Sequence, residues 1–182
     1  MLTPKNIIYG FCQATHPPKY KYLISLFRNE TLHVVACFTT SKNRSGAAFG
    51  KSKHGANRNF NDEIVSYVFK ANTEIGDIPN SIQKFSFPLE TAIRFDYGLM
   101  DRNQDEIIGW FKNPKVVGIL SDDEYENLLY AMIQSDDVPK KYQILFDEAL
   151  RKIGQKKREV EELFAFNLKC VLFPNNGYRD LL

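Results

Sequence analysis

The chain has 182 residues, 43% hydrophobic and 13% aromatic, with a formal net charge of +2. That suffices for one packed domain, or a small barrel with a helical appendage, and is too short for two ordinary domains. No apolar run approaches the roughly 18 residues of a membrane span, and Met1-Leu2-Thr3-Pro4-Lys5 does not begin a secretory signal, so a cytoplasmic protein is expected, with no membrane partner.

In chain order, Asn6 to Gln13, Tyr20 to Phe27 and Leu32 to Thr40 are rich in β-branched and aromatic residues and separated by turn formers. They are expected to be three antiparallel strands. Lys19-Tyr20-Lys21-Tyr22 alternates charge and ring before Leu23-Ile24-Ser25-Leu26, as a strand does when it enters a core from a wet end. Ser41 to Asn61 is small, polar and basic and reads as a long loop. Glu63 to Phe69 and Phe85 to Tyr97 follow as strands, and Trp110 with Phe111 reads as core.

Helices are expected to take over after Asp101, apart from a short strand at Val116 to Leu120. Ser121-Asp122-Asp123-Glu124 has the capping-box pattern and should open a helix running through Ile133. Pro139 precedes helically spaced Tyr142, Leu145, Phe146, Ala149, Leu150 and Ile153, so a second helix should continue towards Phe164. Leu168 to Phe173 reads as a returning edge strand and Pro174 to Gly177 as a turn. The expectation is a single α+β domain over 1–182, basic and β-rich over 1–100, acidic and mostly helical over 101–182. Cys12, Cys37 and Cys170 are odd in number and lie in apolar segments, which reads as buried free thiols in a reducing compartment.

Charge is distributed unevenly. Residues 1–60 hold nine Lys and Arg against Glu30 alone, a net +8, and the remainder carries 15 bases and 21 acids, a net −6. Such a split suggests a field that draws anions to one end of the molecule, although a solvated basic loop would give the same count.

Several chemistries drop out on spacing. Gly46 to Gly50 encloses three residues where a phosphate loop needs four, and no strand and helix flank it. No two cysteines are close and His16, His33 and His54 lack ligand spacing, so no metal and no cofactor is expected. What remains is a juxtaposition. If the second and third strands pair, the start of one meets the end of the other, bringing His16, Lys19 and Lys21 beside Thr40, Ser41, Lys42 and Arg44. Cations, hydroxyls and an imidazole could stabilise a phosphodiester's non-bridging oxygens and move protons between a ribose 2′-OH and a leaving 5′-oxygen. Lys51, Lys53, His54 and Arg58 would add phosphate contacts. Tyr20 is open to a base-stacking role, Tyr22 reads as core, and His33 as a strand-face residue. His16 serves equally well as a turn residue before two prolines, and Thr40 and Ser41 as satisfiers of turn backbone.

The segments Lys19 to Ser25 and Cys37-Phe38-Thr39-Thr40-Ser41-Lys42 resemble the ribonuclease toxins of toxin–antitoxin systems of the MazF/PemK and ToxN type. The resemblance implies a small antiparallel SH3-like β-barrel with packed C-terminal helices. It also implies a metal-independent endoribonuclease leaving 2′,3′-cyclic phosphate and 5′-OH ends on single-stranded RNA, with a protein or RNA antitoxin as partner. A homodimer is compatible with it. Thr40, Ser41 and Lys42 would supply the hydroxyls and cation after the central strand, and Lys19 or Lys21 the basic residue of the preceding loop. In this chain the prolines come before Lys19, whereas the MazF branch has an arginine followed by proline. The alternative is a non-catalytic nucleic-acid-binding module using the same rim.

Overall fold

The structure, a computed structural model, describes residues 1–31, 33–41, 52–97 and 99–172, with side chains as far as 162. Two compact units are distinguished, Met1–Asp147 and Glu148–Leu182. The first holds the strands β1 (Asn6–Cys12), β2 (Lys19–Arg28), β3 (His33–Phe38), β4 (Gly55–Arg58), β5 (Ile64–Phe69), β6 (Gly76–Asp77) and β7 (Lys84–Phe85). After these come β8 (Thr91–Arg94), β9 (Leu99–Asn103), the short helix α1 (Gln104–Gly109), β10 (Phe111–Leu120), α2 (Asp122–Ile133) and α3 (Lys140–Leu172). In the second unit, α3 is helical to Leu172.

The protein is α+β with antiparallel pairing, as expected. One sheet has seven strands in the order β7-β6-β10-β1-β2-β3-β9, and the other has three in the order β4-β5-β8. Among the described strands no pairing closes either sheet, and β7 and β9 are the edges of the larger one. Among the described residues one backbone bridge joins the sheets, where Thr40 N–H donates to Ala92 O and Ala92 N–H to Thr40 O, each 2.8 Å.

The first three strands pair as expected, with Tyr9 opposite Tyr22 and Leu23 opposite Phe38. One face of them buries Ile8, Cys12, Leu23, Val34 and Ala36 against Ile107 of α1 and Phe111. The other side leads into an aromatic interior built by the small sheet, where Tyr67, Phe69 and Phe87 are at most 1% exposed. Their ring centroids follow one another at 5.2 and 5.3 Å. Helix α2 packs on β4 and β5, and its Tyr125 hydroxyl donates to Leu26 O of β2. Burial pushes the Tyr125 hydroxyl pKa up, so this donor keeps its proton.

Several expectations need correction. The strand expected at Val116 to Leu120 is present but is the end of a ten-residue β10, and β9 also joins the large sheet where helix was expected to take over. The polar start of β10, Lys112-Asn113-Pro114-Lys115, forms an irregularity opposite Tyr9–Phe11, with Asn113 at φ 50°. Asparagine tolerates that left-handed conformation, so a stretch without strand composition still continues the ladder. The segment Phe85 to Tyr97 is two separate strands, β7 and β8, interrupted around Pro88. The expected loop after Ser41 contains β4, and residues 42–51 lie outside the described ones. Leu168 to Leu172 is helix, not strand, and Phe173 and the turn at Pro174 to Gly177 lie outside the described residues. Cys12 and Cys37 are buried free thiols, and the Cys170 side chain is outside the described set. Burial pushes the Cys37 thiol pKa far up, which leaves it unreactive.

The Ser121 hydroxyl caps the helix by accepting from Glu124 N–H at 3.2 Å, but the box is not reciprocal, because Ser121 N–H donates to Ile75 O at 2.9 Å and the Glu124 carboxylate accepts from Tyr67 OH at 2.8 Å. At Gly76 any side chain is excluded, since a Cβ there would lie 1.9 Å from Ile119 O of β10. Ile24 is fully buried. Ile24→Ala should lower the unfolding free energy by about 2–5 kcal/mol and Ser121→Ala by about 1 kcal/mol, both measured by urea denaturation.

Candidate functional site

At the end of the large sheet nearest the Thr40–Ala92 bridge there is a cavity of about 430 Å³. The loop between β1 and β2 contributes Thr15 and His16, the start of β2 contributes Lys19 to Tyr22, and the end of β3 contributes Phe38 to Ser41. The opposite wall is Pro88, Leu89, Thr91 and Tyr97, and Tyr9 completes the lining. Antiparallel register produces this meeting: Leu23 faces Phe38, Thr39 N–H donates to Tyr22 O at 3.2 Å, and the next residue, Thr40, turns off to β8.

Of the twelve residues singled out in the sequence, His16, Lys19, Tyr20, Lys21, Thr40 and Ser41 line this one cavity. Lys42, Arg44 and Lys51 lie outside the described residues. Lys53, His54 and Arg58 do not line the cavity. Lys53 is exposed, its backbone N–H held by Asn57 Oδ1 at 3.0 Å, and Arg58 pairs with Asp62 at 3.7 Å. His54 is a bridging residue inside the fold. Its Nδ1 accepts from Lys70 N–H at 3.3 Å, which leaves Nε2 to donate to the Glu124 carboxylate at 3.1 Å. Tyr67 OH donates to the same carboxylate at 2.8 Å, and burial together with that charge drives the Tyr67 pKa up. His33 is half-exposed on the strand face expected for it and pairs with Asp101 at 2.6 Å.

Among the described residues no carboxylate lines the cavity, although two acids lie close in sequence to its walls. Glu90, between Leu89 and Thr91, is turned to Lys70 and to Ser52, whose hydroxyl donates at 2.8 Å. Asp96, beside Tyr97, accepts from Arg94 Nε at 3.0 Å. Lys21 Nζ donates to Thr39 O at 2.8 Å and stands 5.9 Å from the Phe38 ring centroid, so its ammonium is held in the cavity wall. Among the described residues the lining thus joins two ammonium groups, an imidazole and hydroxyls. That is the composition of an anion site.

Tyr22, expected in the core, is half-buried and lines the cavity. Its ring packs at 5.0 Å edge-on against buried Phe87 and at 4.5 Å against Tyr9. Burial, and secondarily Tyr9, raises its pKa, so its hydroxyl stays a neutral donor through the physiological range. Tyr9, Leu89 and Tyr97 were not foreseen as site residues. Tyr9 could have been found from the expected pairing of the first two strands, whereas Leu89 and Tyr97 arrive only through the bridge. Among the described residues no cluster of three His, Cys, Asp or Glu is placed to hold a metal, and no helix is long and apolar enough to cross a membrane. Comparison with protein-family models, curated proteins and solved structures finds no match.

The hydrogen bond from Lys70 holds the Glu90 carboxyl below the usual glutamate range. A depressed acid stabilises the fold above its unfolded pKa, about 4.3, and that contribution is lost as pH falls through the lowered folded value. Lys70→Met should therefore be less stable than wild type at pH 7, with the difference shrinking towards about pH 3 in urea titrations.

Proposed function

We propose that the chain is a metal-independent endoribonuclease that takes single-stranded RNA into the cavity at the end of β2 and β3. The observation that carries the reading is the meeting in one cavity of His16, Lys19, Lys21, Thr40 and Ser41 from separate segments. In the reaction the 2′-oxygen gives up its proton and bonds to phosphorus, and the bond to the 5′-oxygen breaks. That oxygen takes a proton, leaving a 2′,3′-cyclic phosphate and a 5′-OH. Lys21, fixed by Thr39 O, and the neutral Tyr22 hydroxyl suit the charge that builds on the non-bridging oxygens. His16, exposed at the mouth, is the proton-transfer group of this reading.

The SH3-like barrel, the neutralising antitoxin and a cytoplasmic setting of the toxin resemblance belong to the same proposal. Buried, unpaired Cys12 and Cys37 suit a reducing compartment. One observation favours the non-catalytic alternative: among the described residues His16 has no hydrogen-bonding partner to orient its ring, as a general base commonly has.

Purified protein incubated with single-stranded RNA in chelator should produce 5′-OH ends. Thr40→Ala or Lys21→Ala should slow cleavage on the order of a hundredfold while the fold survives, as loss of one oxyanion donor does. His16→Ala should flatten the pH–rate profile near neutrality. Wild-type rates in both Thr40→Ala and Lys21→Ala would sink the enzyme reading in favour of a binding module. Binding should weaken steeply between about 50 and 200 mM salt, as counterion release requires. A salt-insensitive affinity would remove the nucleic-acid reading altogether.

A further inference from the structure

The cavity carries a second feature beside its charge, two exposed aromatic rings on different walls. Tyr20 is 64% exposed and Tyr97 48% exposed, and each is backed on one side by a fixed partner. Tyr20 stacks on Tyr9 with centroids 5.4 Å apart and planes 18° from parallel, and Phe11 meets it edge-on at 5.4 Å. Behind Tyr9 the row continues through Tyr22 and Phe87 into the buried interior. The Arg94 guanidinium stands 4.8 Å from the Tyr97 ring centroid and is itself held by Asp96. Each ring is therefore braced without being covered, beside a cavity that carries cations and hydroxyls.

We infer that Tyr20 and Tyr97 are two base-stacking platforms that hold the consecutive bases of one dinucleotide step, with the phosphate between them at Lys21, Thr40 and Ser41. This rests on the reading of the cavity as an RNA site. Every base has a π-face, so stacking on a tyrosine tolerates any sequence but requires the base to be unpaired and splayed out. The cavity volume of about 430 Å³ lies in the range of small-ligand sites, about 300–1,000 Å³. Lys19 and Lys21 flank Tyr20 in sequence, and Thr40 is bridged to Ala92, five residues before Tyr97, so the segments that carry the two rings both reach the cations and hydroxyls of the one cavity. The phosphate positions the strand, and the rings select for unstacked, single-stranded geometry.

The test uses 2′-O-methyl tetranucleotides, which lack the attacking hydroxyl, with all bases present or with the two central bases removed, in fluorescence-anisotropy titrations. The intact oligonucleotide should bind the wild type on the order of a hundredfold more tightly than the abasic one, about tenfold per stacked base. Tyr20→Leu and Tyr97→Leu should each lose about tenfold on the intact oligonucleotide, and the double variant should bind intact and abasic forms alike. Tyr20→Phe and Tyr97→Phe should bind as wild type, since the ring and not the hydroxyl acts. Equal wild-type binding of intact and abasic oligonucleotides overturns the two-platform inference and leaves the phosphate site standing, as does wild-type affinity in both leucine variants. Failure of the wild type to bind either oligonucleotide overturns the RNA reading and the platforms together. The comparison of oligonucleotides on the wild type needs no variant to fold.

Discussion

A pair of backbone hydrogen bonds between Thr40 and Ala92 is the constraint on which the candidate site depends. Without it β3 would continue alongside β2, and the hydroxyls at its end would run out into solvent. With it the end of β3 leaves the large sheet and joins the small one, opening a space between Lys19–Tyr22 on one side and Pro88–Thr91 on the other. Backbone bonds of this kind are indifferent to side-chain chemistry. The residues at the junction are therefore free to be hydroxyls and cations while the framework stays fixed.

Electrostatics in space differ from electrostatics along the chain. Two cations of the basic first third meet acids supplied by later segments: Lys5 pairs with Asp122 and Arg58 with Asp62. Acids beside the cavity are taken up by Lys70 and Arg94. Among the described residues the cavity lining contains Lys19 and Lys21 and no Asp or Glu.

The first three strands were legible because β-branched and aromatic residues recur with period two and the turns between them are polar. Their pairing, and hence the meeting of His16, Lys19 and Lys21 with Thr40 and Ser41, followed from antiparallel geometry alone. β10 was half-hidden because Lys112 to Lys115 is an irregularity, where the chain departs from alternation. β4 and β9, Gly-Ala-Asn-Arg and Leu-Met-Asp-Arg-Asn, carry little strand composition and are held by their neighbours. Lys53, His54 and Arg58 looked like phosphate ligands because sequence gives charge but not partner: Glu124 and Asp62 account for two of them. Tyr97 could not be read as part of the site, since nothing in its neighbourhood along the chain points at Lys21.

The order of the large sheet has a consequence for how the protein is made. β1 is an interior strand, bonded to β2 on one side and on the other to β10, whose Gly118 faces Ile7. During synthesis the first strand emerges more than a hundred residues before its second neighbour, and closing so long a loop is slow. Until β10 is translated, β1 presents an open edge of unpaired amides and carbonyls, the kind of edge that captures other strands. Every described cavity residue precedes β10 in the chain, since Tyr97 comes before Phe111. A chain truncated before Phe111 would thus carry the residues of the site on a sheet not yet sealed.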